Sequence, residues 1–326
     1  MRHRSAVWGI AHLVLLTWTF LCLCSPHSTA QTPQIRVAPG GRGAVSADPP
    51  PLENDLELLT VTVSSKGGAV TGLGKDRFQV LEDGVEQKIA YFWVDSRPIS
   101  VGFVIDGSSA INDLMNEAIR GVGPAFLKSK RMEDEYFVIV FSSAPAMTVT
   151  YTTDAKLMPR VFPQNGEQPL YDAIYNGIDA MKEAANPRRV LLVVTAAGDN
   201  GKGQTDDQLV NYAIKQPVQV YSIDLGGGTA ASNTLDLLAS VTGGQAVVSA
   251  DSSFLVEAQA TALAQALKTQ YLIGYKSTNT TKDGHRRGVK VKVSSSPGSP
   301  KLTVWTKSGY YSQKEPKTKT TVVTGK

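Results

Sequence analysis

The sequence predicts an α/β fold, a doubly wound domain with a mainly parallel central sheet, flanked by β-strands from both chain ends that are expected to form a β-sandwich. Between residues 97 and 270, short apolar runs alternate with segments of helical period, the pattern of a parallel sheet covered on both faces. On either side of that region apolar residues recur with period two, as in half-buried strands. The chain of 326 residues is 42% hydrophobic and 19% charged, which supports two cores and excludes a disordered or collagen-like chain.

Residues 1–30 read as an export signal. Arg2 and Arg4 make a basic start, Leu13 to Cys24 is apolar, and Ser28-Thr29-Ala30 offers small residues for cleavage, so the mature chain is expected to begin near Gln31. The alternative is an uncleaved anchor counted from Ala6 to Cys24, which His12 interrupts. A lipid anchor on Cys24 fits less well, because Leu23 stands where a small residue should precede the modified cysteine. No later segment is long and apolar enough to span a membrane. Residues 31–55, with Pro49-Pro50-Pro51, lack periodicity and read as a flexible leader.

Residues 56–96 form an N-terminal β segment. Leu59, Val61 and Val63 share one face of a first strand and Phe78 and Val80 begin another. Asp83-Gly84 signals a hairpin between Phe78 to Leu81 and Ile89 to Val94, since both turn positions favour positive φ. Too few strands lie here to cover both faces, so partners are needed from elsewhere in the chain.

Within 97–270 the expected strands are Ile99 to Asp106, Tyr136 to Phe141, Val190 to Thr195, Val218 to Leu225 and Gln245 to Ser249, with an edge strand at Met147 to Tyr151. A helix follows the first of them, because Ile111, Leu114, Met115, Ala118, Ile119, Val122 and Phe126 make one apolar stripe. Leu170 to Met181 and Phe254 to Leu267 repeat that pattern. In 271–312 strand character returns at Tyr271 to Tyr275, at Val289, Val291 and Val293 alternating with Lys290 and Lys292, and at Leu302 to Trp305. These strands are expected to complete the sheet begun at Leu56. Residues 313–326, with four lysines and no apolar pattern, read as a disordered tail.

Composition excludes several functions. Both cysteines (Cys22, Cys24) and three of the four histidines fall within 1–30, and loss of Arg2 and Arg4 takes the net charge from +4 to +2. Thiolate chemistry and cysteine-based zinc sites are thereby excluded from the mature chain. His285, in the turn Asp283-Gly284-His285-Arg286, is too isolated for a histidine triad or zinc site. So small a charge offers no field for nucleic acid.

In an open doubly wound sheet, ligands bind at the carboxyl ends of the strands. Three motifs stand there. A strand ends in Asp106-Gly107-Ser108, a helix begins Pro169-Leu170-Tyr171-Asp172-Ala173-Ile174, and another strand runs into Thr195-Ala196-Ala197-Gly198-Asp199-Asn200. Together they resemble the von Willebrand factor type A domain, in particular the exported bacterial VWFA-related domain proteins known from acidobacteria. Phe78 to Gly84, Gln270 to Tyr275 and Lys307 to Tyr311 are similar to that family's flanking segments, so the resemblance covers most of residues 56–312.

The resemblance implies a metal-ion-dependent adhesion site, where a divalent ion completes its shell with a partner protein's carboxylate. The first loop of the family reads Asp-x-Ser-x-Ser; Asp106 and Ser108 match, but Ala110 takes the last position. Gln168 stands where a threonine is implied, and Ala196 where an aspartate is implied. Mg²⁺ demands near-octahedral oxygen coordination and gives up its water reluctantly. With Ala110 and Ala196 offering no side-chain oxygen, the expectation is a degenerate site that recognises a protein partner without a required metal, Mg²⁺ binding being weak at most. The alternative is a rearranged Mg²⁺ site using Asp106, Ser108 and Asp199, with Asp224 as another carboxylate in reach. Against it, Asp199 and Asp224 are expected to shape their own loops, and Asp172 to offset a helix dipole.

One enzymatic alternative comes from Gly226-Gly227-Gly228-Thr229-Ala230-Ala231, which satisfies G-x-G-x-x-A with Asp251 downstream, the fingerprint of a nucleotide-dependent oxidoreductase. It follows the fifth strand of the sheet, not the first, and an exported protein meets little nicotinamide cofactor. A hydrolase on Ser108 lacks the G-x-S-x-G elbow. The expected function is therefore a non-enzymatic, exported adhesion-type module, periplasmic or extracellular, with no cofactor. A structural role with self-assembly through the sandwich is the remaining alternative.

Overall fold

The computed structural model describes residues 56–314, except 67, 108–112, 129, 143–144, 153–168, 197, 200, 249–252, 296–297 and 299. The expected signal, the leader and most of the tail lie outside the described residues. Lys314, placed by the sequence in the disordered tail, makes an isolated bridge with Asp283, so order persists to that point.

Strands from both chain ends interleave. One antiparallel sheet has the order β14 (Thr303–Trp305), β1 (Leu56–Ser65), β12 (Gln270–Lys276), β5 (Ile89–Asp95), with the short β2 (Gly68–Ala69) also on β1. The other runs β15 (Gly309–Tyr311), β13 (Arg286–Val293), β3 (Phe78–Glu82), β4 (Val85–Gln87). In each sheet a C-terminal strand sits between N-terminal neighbours or beside one: Leu59 lies opposite Ile273, and Val80 opposite Val291. Period-two burial follows the sequence pattern, Leu59, Val61 and Val63 being buried on one strand and Val289 and Val291 on another, while Lys290 and Lys292 face solvent. The inner faces share one core that includes Tyr271, Ile273 and Tyr275, with Phe78, Phe92 and Tyr271 in ring contact at 5.0–5.7 Å.

The hairpin prediction needs one correction. Asp83 (φ 47°) and Gly84 (φ 85°) do form the turn with both residues at positive φ, but the return strand is β4, Val85–Gln87, and not Ile89 to Val94. The chain then leaves that sheet, and β5 pairs with β12 in the other. Continuous apolar character from 89 to 94 hides the change of sheet, and a bulge opposite Gly274 and Tyr275 lets Ile89 and then Phe92 and Val94 reach the shared core.

Between β5 and β12 lies the α/β unit. Its sheet has the order β11 (Ala246–Val248), β10 (Val218–Asp224), β9 (Arg188–Thr195), β6 (Ile99–Asp106), β7 (Glu135–Phe141), β8 (Pro145–Thr152). All pairings are parallel except β7 with β8, the expected edge strand. Counted along the chain within this sheet, the order is 3-2-1-4-5-6, the doubly wound arrangement, which reverses direction between β6 and β9.

Helices α1 (Asp113–Lys128) and α5 (Ser253–Ala266) cover one face, burying Val122, Phe126, Val256 and Ala260 against Phe103, Tyr136 and Leu192. Ile111 of the predicted stripe lies outside the described residues. Helices α2 (Leu170–Ala180), α3 (Asp206–Ala213) and α4 (Ala230–Thr242) cover the other, around Val104, Phe137, Leu191 and Val193. Helix α4 is the one expected to follow the glycine loop Gly226 to Ala231, whereas α3 is an addition to the sequence-based expectation; the capping boxes at Thr205/Gln208 and Thr229/Ser232 are the local signal that marks them.

The chain passes between the two units at 95–99 and again at 267–270, and both crossings are tied by one buried polar network. Arg188, at the start of β9, donates to the carbonyl oxygens of Arg97 (2.7 Å) and Leu267 and to Gln270 Oε1 (2.8 Å). Gln270 Nε2 in turn donates to Thr62 Oγ1 at 3.1 Å and Tyr221 OH at 3.3 Å. Asp95, 1% exposed, accepts two hydrogen bonds from the Arg97 guanidinium.

Candidate functional site

The topological switch between β6 and β9 brings Asp106 and Thr195 to adjacent strand ends. Both are fully buried, and the Thr195 hydroxyl donates to Asp106 Oδ2 at 3.1 Å. The backbone N–H of Gly107 donates to Phe141 O on β7, drawing the first loop toward its other neighbour. Ser108, Ala110 and Gln168, the other expected site residues, lie outside the described residues. Ala196, directly after Thr195, packs its methyl group against the core on the α1/α5 face.

Asp199 is held by both of its oxygens. Oδ1 accepts from the backbone N–H of Tyr171 at 2.9 Å, and Oδ2 from that of Gly201 at 2.8 Å. The first bond explains why a helix can start at Pro169, which has no side-chain cap of its own: Asp199 reaches across from the next loop to satisfy a donor in the first turn of α2. Asp172 returns the contact, accepting from Gln204 N at 2.8 Å. Two carboxylates thus lash the 199–204 loop to one helix end, whose dipole favours their charge. The rest of the Pro169 to Ala173 motif is core. Leu170 and Ala173 are fully buried, and Tyr171, whose hydroxyl pKa burial raises, bonds Thr234 of α4 at 3.0 Å.

Asp224, 4% exposed at the end of β10, is likewise engaged. Oδ1 accepts from the N–H groups of Gly226 (2.9 Å) and Gly227 (3.1 Å), and Oδ2 from the Ser232 hydroxyl. A side chain at Gly226 would stand 2.3 Å from Ala196 O, so only glycine lets the loops after β9 and β10 lie this close. The amide donors that a pyrophosphate would need from the glycine loop therefore already hold a carboxylate of the same chain. Asp251, the other half of that fingerprint, lies outside the described residues. His285 sits in the sandwich, 79% exposed in its side chain beside Asp283.

Sequence reasoning places Asp106 and Thr195 at strand ends but does not reveal their contact. It assigns Asp199 and Asp224 to turns, and leaves out that each also reaches a helix, α2 and α4. Those reaches span 28 and 8 residues, and only the shorter has a local sequence signal. Asp199→Ala is expected to lower stability by about 1–2 kcal/mol in urea unfolding, as for loss of a helix cap. Asp199→Asn, which keeps one acceptor, should recover half or more of that loss.

No family model and no curated protein matches the sequence. Solved structures similar to it include a von Willebrand factor type A protein from Catenulispora acidiphila (9% identity, 79% of this chain and 74% of that one, TM-score 0.44). The VWA domain of SpRpn10 is similar at 15% identity, over 50% of this chain and 93% of that one, with a TM-score of 0.41. The PilB minor pilin from Streptococcus sanguinis matches at 9% identity and a TM-score of 0.41 over 53% of this chain. The match spans 62% of that pilin's length.

Proposed function

We propose that the chain is an exported binding module that recognises a protein partner through the loops after β6, β9 and β10, without a required metal ion. One observation carries this reading: each carboxylate described at these strand ends is already engaged inside the fold. Asp106 is fully buried and accepts from Thr195, while Asp199 and Asp224 each use both oxygens on donors of the same chain. A Mg²⁺ ion would have to win those oxygens while Ala196 and Ala110 supply none, and its dehydration is repaid chiefly by free carboxylates. The donor set does not fit the ion.

The rearranged site built on Asp106, Ser108 and Asp199 would cost the cap of α2 and the turn at Gly201, and so opposes the local fold. An oxidoreductase reading is opposed by Asp224 in the glycine loop. Export rests on the basic start, apolar run and small-residue site of residues 1–30. Among the described residues no helix is long and apolar enough to cross a membrane.

Calorimetric titration with Mg²⁺ and Mn²⁺ tests the reading. The natural protein should give no binding heat, and a variant carrying Ala110→Ser, Gln168→Thr and Ala196→Asp should give a saturable one. Partner capture should survive chelator. A partner lost in chelator and recovered on adding Mg²⁺ would overturn the proposal.

A further inference from the structure

We propose that the cleft between α5, the β1–β2 hairpin and the β10–β11 edge is a binding site for an uncharged amphiphile bearing a hydrogen-bond donor. This cleft has a volume of about 730 Å³ and shares no lining residue with the loops after β6, β9 and β10. It lies on the seam between the sandwich and the α/β unit, the kind of place where small-molecule sites form, and its size is in their usual range. The volume stays open because both walls are built of small side chains: Ala258, Ala262 and Ala266 on α5 face Gly68 and Ala69 of the hairpin.

Three features define the ligand. The lining is mainly apolar, with Ile223, Val247 and Leu263 contributing aliphatic surface. Its charged residues are Lys66 and Glu257, of opposite sign, so the cleft selects neither an anion nor a cation. Gln259 lines the cleft, and its Oε1 is buried without a hydrogen-bond partner among the described residues. A carbonyl oxygen can be satisfied only by a donor, and leaving it unmet is costly, so a ligand N–H or O–H completes the site. Tyr221 adds an aromatic wall, but its hydroxyl is occupied by Gln270 Nε2.

The test uses N-phenyl-1-naphthylamine, an uncharged fluorophore with one N–H, titrated into the full chain. Its emission should rise saturably. Ala262→Phe fills the cleft from an exposed helix position and should weaken binding by about tenfold or more, as a bulky group does in a formed pocket. Gln259→Leu should weaken the amine by about fivefold, the worth of one hydrogen bond, and leave 1-benzylnaphthalene, which lacks the N–H, unchanged. Melting curves establish that each variant is folded, and Ala258→Leu, at another exposed position, replaces Ala262→Phe if that variant is not. Absence of saturation, or equal affinity in the natural protein and the folded cleft-filling variant, overturns the proposal. Equal loss of both ligands in Gln259→Leu overturns the donor requirement.

Discussion

Replacing Arg188 with alanine is expected to lower the stability of the whole chain by about 3–5 kcal/mol, the cost of breaking a buried ionic cluster from one side. The guanidinium is 5% exposed and joins three segments: β9 to which it belongs, the 95–99 crossing through Arg97 O, and the 267–270 crossing through Leu267 O and Gln270 Oε1. Arg131 also reaches Arg97 O at 3.1 Å, so that acceptor keeps a partner. Leu267 O and Gln270 Oε1 lose theirs. The contact of Arg188 Nε with Asp95 Oδ2 is 3.6 Å, an ionic approach too long for a hydrogen bond, and among the described residues Nε has no acceptor of its own. Burial pushes the guanidinium down to about 10, against the charge of Asp95, and it stays protonated at neutral pH. Arg188→Met should lose less than alanine, since it fills the space that alanine would leave as a cavity. Denaturant unfolding followed separately by tryptophan emission and far-ultraviolet circular dichroism measures both. If Arg188 ties the units, the natural protein unfolds in one transition and the alanine variant in two.

The same cluster sets an acid limit. Burial raises the pKa of Asp95, but the hydrogen bonds from Arg97 and the charges of Arg188 and Arg97 outweigh it and hold the group below its ordinary value. Because the folded pKa is depressed, the contribution is full above the unfolded carboxylate value and disappears as pH falls through the folded one. Removing Arg188 takes away one of the lowering charges, so the acid unfolding midpoint of Arg188→Ala should lie at higher pH than that of the natural protein. An unchanged midpoint would mean that Arg97 alone sets it.

How much of this is legible in the sequence depends on the range of each interaction. The β6, β7, β9 and β10 strands can be read because burial on both faces makes them largely apolar runs, the first two helices because their stripes are strong, and α5 because it is rich in apolar residues along its whole length. Helix α3 buries only Leu209 and Ala213, too narrow a stripe to stand out from Asp206 and Asp207 beside it. Asp106 is found from a motif, but its partner Thr195 lies 89 residues away, and no spacing rule links them. Arg188 and Gln270 escape notice for the same reason. A polar residue at the edge of an apolar run reads as a solvated strand end, and only the meeting of two chain crossings turns it into a buried cluster. The alternation of Val289, Val291 and Val293 with lysines announces a half-buried strand, yet cannot say that its neighbour is β3, more than 200 residues earlier.

That long-range pairing leads to the other large expected effect, at Glu82. The carboxylate ends β3, is 2% exposed, and has no cation bonded to it among the described residues. It accepts instead from three hydroxyls of the C-terminal strands and their connections: Tyr275 at 2.9 Å, Tyr310 at 2.8 Å, and Ser277. Glu82→Leu leaves the fully buried Tyr275 hydroxyl without an acceptor and weakens the hold on Tyr310, for an expected loss of about 3–4 kcal/mol. Burial and the carboxylate both raise the Tyr275 pKa, so its hydroxyl keeps its proton and remains a donor in need of a partner at any pH the fold survives. The discriminating step is to remove the donor as well. Deleting both partners of a buried hydrogen bond costs far less than deleting one, so Glu82→Leu with Tyr275→Phe should be more stable than Glu82→Leu alone, by about 1–2 kcal/mol. Additive losses would show instead that Glu82 acts through packing, and that the hydroxyls do not join the two chain ends.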